Sequence, residues 1–252
     1  MIGMSCTHFS NSPVADWVGP VSETFRHWEI FSEIDHSVVG REAEISELVS
    51  SVGLSCSVHA PICDLNVASF SDRLMEASVA ETCAVIASSA EIGAKTVTVH
   101  PGLASMAVNG TAERAADRAK RSMRVFDKMQ GEYGVPIAIE NMPNVPIFLG
   151  ITAETLADIV DGTDLGICFD IGHANTSGQI GDMVDTFRDR IVNVHIHDNN
   201  GQRDEHLTIG DGIIDFQDVL AQLSWYRGNY IIEAKSLESA RASQPRLEKM
   251  LS

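Results

Sequence analysis

The chain has 252 residues, 44% hydrophobic and 21% charged, which excludes a disordered polymer and allows a large buried core. Its 18 basic and 35 acidic residues give a formal charge of −17, a field that repels DNA but not a metal cation or small substrate. No apolar run can span a bilayer and no signal-peptide order opens the chain, so a cytoplasmic protein without a membrane partner is expected. Five cysteines (6, 56, 63, 83, 168) form no CxxC pair and read as reduced thiols, mostly core filler.

Short β-rich runs recur along the chain. Strands are predicted over 2–8, 27–33, 55–61, 95–101, 136–142, 165–173, 191–198 and 229–235. Helices are predicted between and after them, over 14–25, 41–52, 70–92, 112–133, 152–161, 179–188, 215–226 and 237–251. Gly93 and Gly134 mark helix stops, and Asp215 a helix N-cap. Parallel strands need crossover helices, so eight strand–helix units predict one closed (β/α)8 barrel of the α/β class over residues 1–252. An open doubly wound sheet is the competing architecture, but no GxGxxG follows the first strand.

Side chains at i and i+2 share a strand face. Ser57 and His59 share one; Thr96, Thr98 and His100 another; Ala138 and Glu140 a third; Asn193, His195 and His197 a fourth. The opposite faces carry Val58, Val97, Val99, Ile137, Ile139, Val194 and Ile196, suited to packing against helices. The first set ends in His59, His100, Glu140, His195 and, on the last strand, Glu233, at the strand ends where barrel active sites are built. Carboxylates converging there would repel each other if left dry and unpaired, and a divalent cation resolves that. Mixed carboxylate and imidazole donors suit manganese, zinc, cobalt or iron, and magnesium less.

HAP at 59–61, HPG at 100–102, IEN at 139–141, GICFDIGH at 166–173, HIHD at 195–198, RDEHLTIGDG at 203–212 and IIEAK at 231–235 resemble the xylose isomerase-like TIM barrel superfamily. That group includes sugar isomerases and epimerases and the endonuclease IV-type apurinic endonucleases. The resemblance implies a metal held by Glu140, Asp170, His195 and Glu233. On the endonuclease pattern, His59, His100, His173, Asp204 and His206 are five further ligands, so between one and three ions are implied. His197 is read as lying behind the ligands or facing the substrate, Asp198 as a partner to its neighbours, and Glu205 as solvated.

Three departures separate the chain from the endonuclease pattern: DIGH stands where DTCH is usual, HDNNGQRDEH has no lysine soon after its first aspartate, and the spacing from His59 to Asn66 is a residue longer. The expected rim carries Arg41, Arg73, Arg114, Arg203 and Lys235 interspersed with Asp35, Asp64, Asp72 and Glu113, which is no surface for a duplex. The reading is therefore a metal-dependent isomerase or epimerase of a small sugar, sugar phosphate or related hydroxy-carbonyl compound, working through an enediolate. Glu140 and Glu233 are its acid–base pair, and His59, His100, His173, His197, Arg203 and Lys235 its substrate contacts, with Lys235 alternatively in a surface ion pair. NMPNVP after Glu140 lacks the further glutamate of ketose epimerases, which keeps a dehydratase or lyase in view. An apurinic endonuclease and a non-catalytic scaffold are the competing functions. Nucleic acid is not expected as a partner, and self-association is left open.

Overall fold

The computed structural model describes residues 1–252. Eight strands, β1 (Ile2–Ser5), β2 (His27–Phe31), β3 (Ser55–His59), β4 (Val97–Val99), β5 (Ile137–Glu140), β6 (Gly166–Asp170), β7 (Ile191–Ile196) and β8 (Tyr230–Glu233), pair in parallel in sequence order. β8 pairs back onto β1 with Ser5 opposite Glu233, closing a TIM barrel. Around it lie α1 (Val14–Ser22), α2 (Glu42–Ser51), α3 (Asp72–Ile92), α4 (Ala112–Tyr133), α5 (Ala153–Ile159), α6 (Ile171–Ser177), α7 (Ile180–Phe187), α8 (Phe216–Gln222) and α9 (Leu237–Leu251). Both predicted glycine stops are present: Gly93 (φ 81°) and Gly134 (φ 70°) end α3 and α4 in the left-handed conformation. The Asp215 side chain accepts from Asp218 N at 3.1 Å and caps α8.

The sixth strand is shorter than its sequence predicts. β6 stops at Asp170, because Asp170 Oδ1 accepts from His173 N at 2.6 Å and starts α6. His173 therefore sits in the first turn of a helix rather than on a strand, and two helices, not one, join β6 to β7.

The outward strand faces, Val58, Val97, Ile137, Ile139, Ile167, Phe169, Val194 and Ile232 among them, bury against Ile86, Met123, Phe126, Leu156 and Phe187 of the helices. The inside of the barrel is polar. His27 contacts Ser55 and Ser57 through its two ring nitrogens at 2.8 and 3.0 Å. One layer higher, Glu29 Oε2 accepts from Ser57 Oγ and Asn193 Nδ2, both at 2.8 Å, and Asn193 also donates to Thr98 Oγ1. These groups satisfy one another, as burial demands. They form a floor beneath the mouth.

Candidate metal centre

Glu140 ends β5 with its side chain inside the mouth, 1% exposed. Its Oε2 lies 2.9 Å from His100 Nε2 and 3.3 Å from His59 Nε2, and its Oε1 lies 3.0 Å from His195 Nδ1. The same His195 nitrogen is 3.1 Å from Glu233 Oε1 and 3.9 Å from Asp170 Oδ2. Three sets of donor atoms within 4.8 Å of one another result: Glu140, Asp170, His195 and Glu233; His59, His100 and Glu140; and His173, His197, Asp204 and His206. All nine residues named as ligands from the sequence thus stand together at the mouth.

The electrostatics follow from this crowding. Burial pushes the Glu140 carboxyl upward, but His195, His100 and His59 outweigh it and hold the group well below the usual carboxylate range. Burial likewise opposes charge on His195, but the carboxylates of Glu29, Glu233 and Glu140 raise its imidazole well above the ordinary value. Burial works against Asp170 ionising, and His173 and His197 overcome it to leave the carboxyl at about 2.

The residues fit a divalent cation on two grounds. Asp170 Oδ2, Asp204 Oδ1 and His197 Nε2 are buried with no aligned hydrogen-bond partner, which is costly for polar atoms, and each belongs to a residue of one of the donor sets. The donors also mix oxygen and imidazole nitrogen, the combination that zinc, manganese and cobalt accept. Glu140, Asp170, His195 and Glu233 would hold one ion, and the other two sets could hold more.

The β7–α8 loop explains why residues 192–212 carry so much charge. Asp198, fully buried, accepts from the backbone N–H of Asn199, Gly210, Gly212 and Ile214 at 2.9 to 3.2 Å and so folds the loop over itself. Glu205 accepts from Asn200 N and Nδ2 at 2.8 and 2.9 Å, so it braces the loop rather than standing free in solvent. That leaves Asp204 placed against His206 (3.0 Å), His173 (3.4 Å) and His197 (3.3 Å). His206 has φ 45°, a left-handed backbone that costs a histidine energy and is held by this surround.

His197 is fully buried, 3.3 Å from both Asp170 and Asp204 and stacked on His206 at 4.1 Å, which places it among the donors of the third set beneath the folded loop. Gly172 makes room for it, since a Cβ there would clash with the His197 ring. Arg203 is exposed and away from the cluster's contacts; Lys235 is exposed and has no ion-pair partner, so the surface ion pair does not form.

Glu29 is the residue the sequence did not reveal. It lies on β2, fully buried, with Oε1 only 2.6 Å from His195 Nε2. Burial pushes its carboxyl upward, but the His195 charge dominates and holds it at about 2. The available signal was an acid flanked at i−2 and i+2 by His27 and Phe31 on the inward face of β2. Cys168, also inward, joins Glu140 and His195 within the same 4.8 Å limit.

The family model described as xylose isomerase-like TIM barrel matches residues 21–250. This chain belongs to that family. An uncharacterized protein of Methanocaldococcus jannaschii is 36% identical over 236 residues, spanning 90% of this chain and 80% of its own. A probable endonuclease 4 of Mycobacterium leprae is 29% identical over 190 residues, 70% of this chain and 71% of its own. A crystal structure of a D-tagatose 3-epimerase-like protein superposes with a TM-score of 0.93 at 34% identity, covering 99% of this chain and 96% of that one. No helix of the xylose isomerase-like chain is long and apolar enough to cross a membrane.

Proposed function

We propose that this family member is a divalent-metal-dependent isomerase or epimerase of a small sugar, sugar phosphate or related hydroxy-carbonyl compound. The observation that carries the reading is the pair Glu140 and Glu233, each turning Oε1 to His195 Nδ1, at 3.0 and 3.1 Å, with Oε2 directed elsewhere, that of Glu140 to His59 and His100. A bound divalent cation would supply the positive charge that lowers the cost of an enediolate. Glu233, with its side chain 14% exposed, meets the substrate from the open side and takes or gives a proton at Oε2. Glu140 does so from the buried side, where His59 and His100 hold its Oε2 in place. Similarity to the D-tagatose 3-epimerase-like protein supports this choice.

A second reading is an endonuclease 4-like phosphodiesterase, favoured by the complete set of three donor groups and by the mycobacterial relatives. Against it, Arg41 of the expected rim is already engaged by Glu44, and Asp72 of that rim by Arg118. The experiment is a pair of assays on metal-loaded and chelated protein. Conversion of ketoses and ketose phosphates is followed by chromatography, and incision of an abasic duplex by gel. Metal-dependent conversion without incision is expected; incision without conversion would replace this reading with the second.

A further inference from the structure

A small cavity of about 190 Å³ opens beside Glu233, between the ends of β1 and β8, lined by Ser5, Cys6, Thr7, His8, His206, Glu233, Ala234 and Lys235. Ser5 stands opposite Glu233 in the β1–β8 register, and Ala234 N donates to Ser5 O at 3.0 Å, which fixes this wall of the mouth. Ser5 is 3% exposed, yet its hydroxyl lines the cavity without a protein partner. The Thr7 hydroxyl and the Lys235 ammonium are also unpartnered there. Glu233 is the only acid in the lining, and its Oε1 is turned towards His195. In a chain of charge −17, this cavity gathers a lysine, two hydroxyls and two histidines around a single acid, a set of donors suited to an anion.

The geometry points to this cavity as the subsite for an anionic substituent of the substrate, a phosphate monoester or a carboxylate, held by Lys235, Ser5 and Thr7 while the reacting carbon sits at Glu233. The inference rests on the proton-transfer reading above for the place of the reacting carbon. Lys235 follows Glu233 by two residues just beyond the end of β8, so the anionic group and the reacting carbon belong to different parts of one substrate. An exposed lysine is a point charge on a flexible stem, suited to either anion. A neutral sugar could hydrogen-bond these groups but would leave the ammonium charge uncompensated.

The test is titration calorimetry of the metal-loaded protein with three probes that share a ketose skeleton: D-ribulose, D-ribulose 5-phosphate, and a ketohexose with a terminal carboxylate. A charge-assisted contact in a semi-enclosed site makes one or both anionic probes bind about ten-fold or more tighter than D-ribulose. In Lys235→Met that ratio falls below about three-fold, and Lys235→Arg restores most of it. Which anionic probe gains identifies phosphate or carboxylate. Equal affinities in the wild type, or a preference that Lys235→Met leaves intact, would overturn the assignment. Deuterium exchange into D-ribulose is scored separately. Preference without exchange removes the reaction but keeps the subsite, whereas exchange without preference does the reverse.

Discussion

Glu29 Oε1 lies 2.6 Å from His195 Nε2, on the side of the imidazole opposite Glu140 and Glu233. A ligand histidine backed by a carboxylate is fixed in rotation and made a stronger donor, and loss of such partners costs metal affinity. Glu29→Gln keeps the shape but removes the charge. Metal affinity is expected to fall about ten- to a hundred-fold. Competition with a chromophoric chelator measures it, and unchanged affinity would show that Glu29 only fills space.

Glu140 belongs to three of the four sets of close donor atoms, whereas His197 belongs to one. Glu140→Gln is therefore expected to lose most bound metal together with turnover. His197→Asn should keep the ion held through Glu140 and His195 while lowering activity. Plasma emission on both purified variants decides the matter, since equal loss would contradict the division between them.

Gly172 is required by contact, not by backbone angle. A methyl group there would strike the His197 ring, which is itself wedged between Asp170, Asp204 and His206. Gly172→Ala is expected to cost about 1–3 kcal/mol of stability, as overpacking does. Thermal melting should show the loss, and the double variant with His197→Ala should recover part of it.

His27 carries a pH dependence outside the metal centre. Burial lowers its pKa from 6.5 to about 4, against the pull of Glu29. The unfolded chain takes up the proton first as pH falls, so stability is lost between pH 6.5 and about 4 and is fully present above that window. The slope is about 1.4 kcal/mol per pH unit for one such group. His27→Gln should flatten it by that amount in urea unfolding of metal-free protein at pH 7, 6 and 5. Identical slopes would remove His27 as the cause.

The barrel and the crowding of candidate donors at its mouth were legible because strand alternation and motif order act locally: Val97, Thr98, Val99 and His100 declare their faces by position alone. What escaped depended on contacts across the barrel. Glu29 meets His195 from β2 to β7, a pairing that no spacing in HWEIF encodes. Asp170 ended its strand by capping a helix, although the run into Ile171 looked continuous. The fully buried Asp198 has the sequence context of any loop acid, and only the folded loop brings four backbone donors to it. His197 followed the alternation correctly, but the folded loop, with Asp204 and His206, covers it.

The proposed metal-dependent proton transfer by Glu140 and Glu233 is open to a decisive experiment. Proton NMR follows D-ribulose and D-ribulose 5-phosphate incubated in D2O with metal-loaded, chelated and Glu140→Gln protein. The signal for a hydrogen next to the carbonyl should disappear in the first sample and persist in the other two. Exchange that persists after chelation or in Glu140→Gln, or metal-loaded protein that exchanges neither compound yet cleaves abasic DNA, would contradict the assignment of these two glutamates.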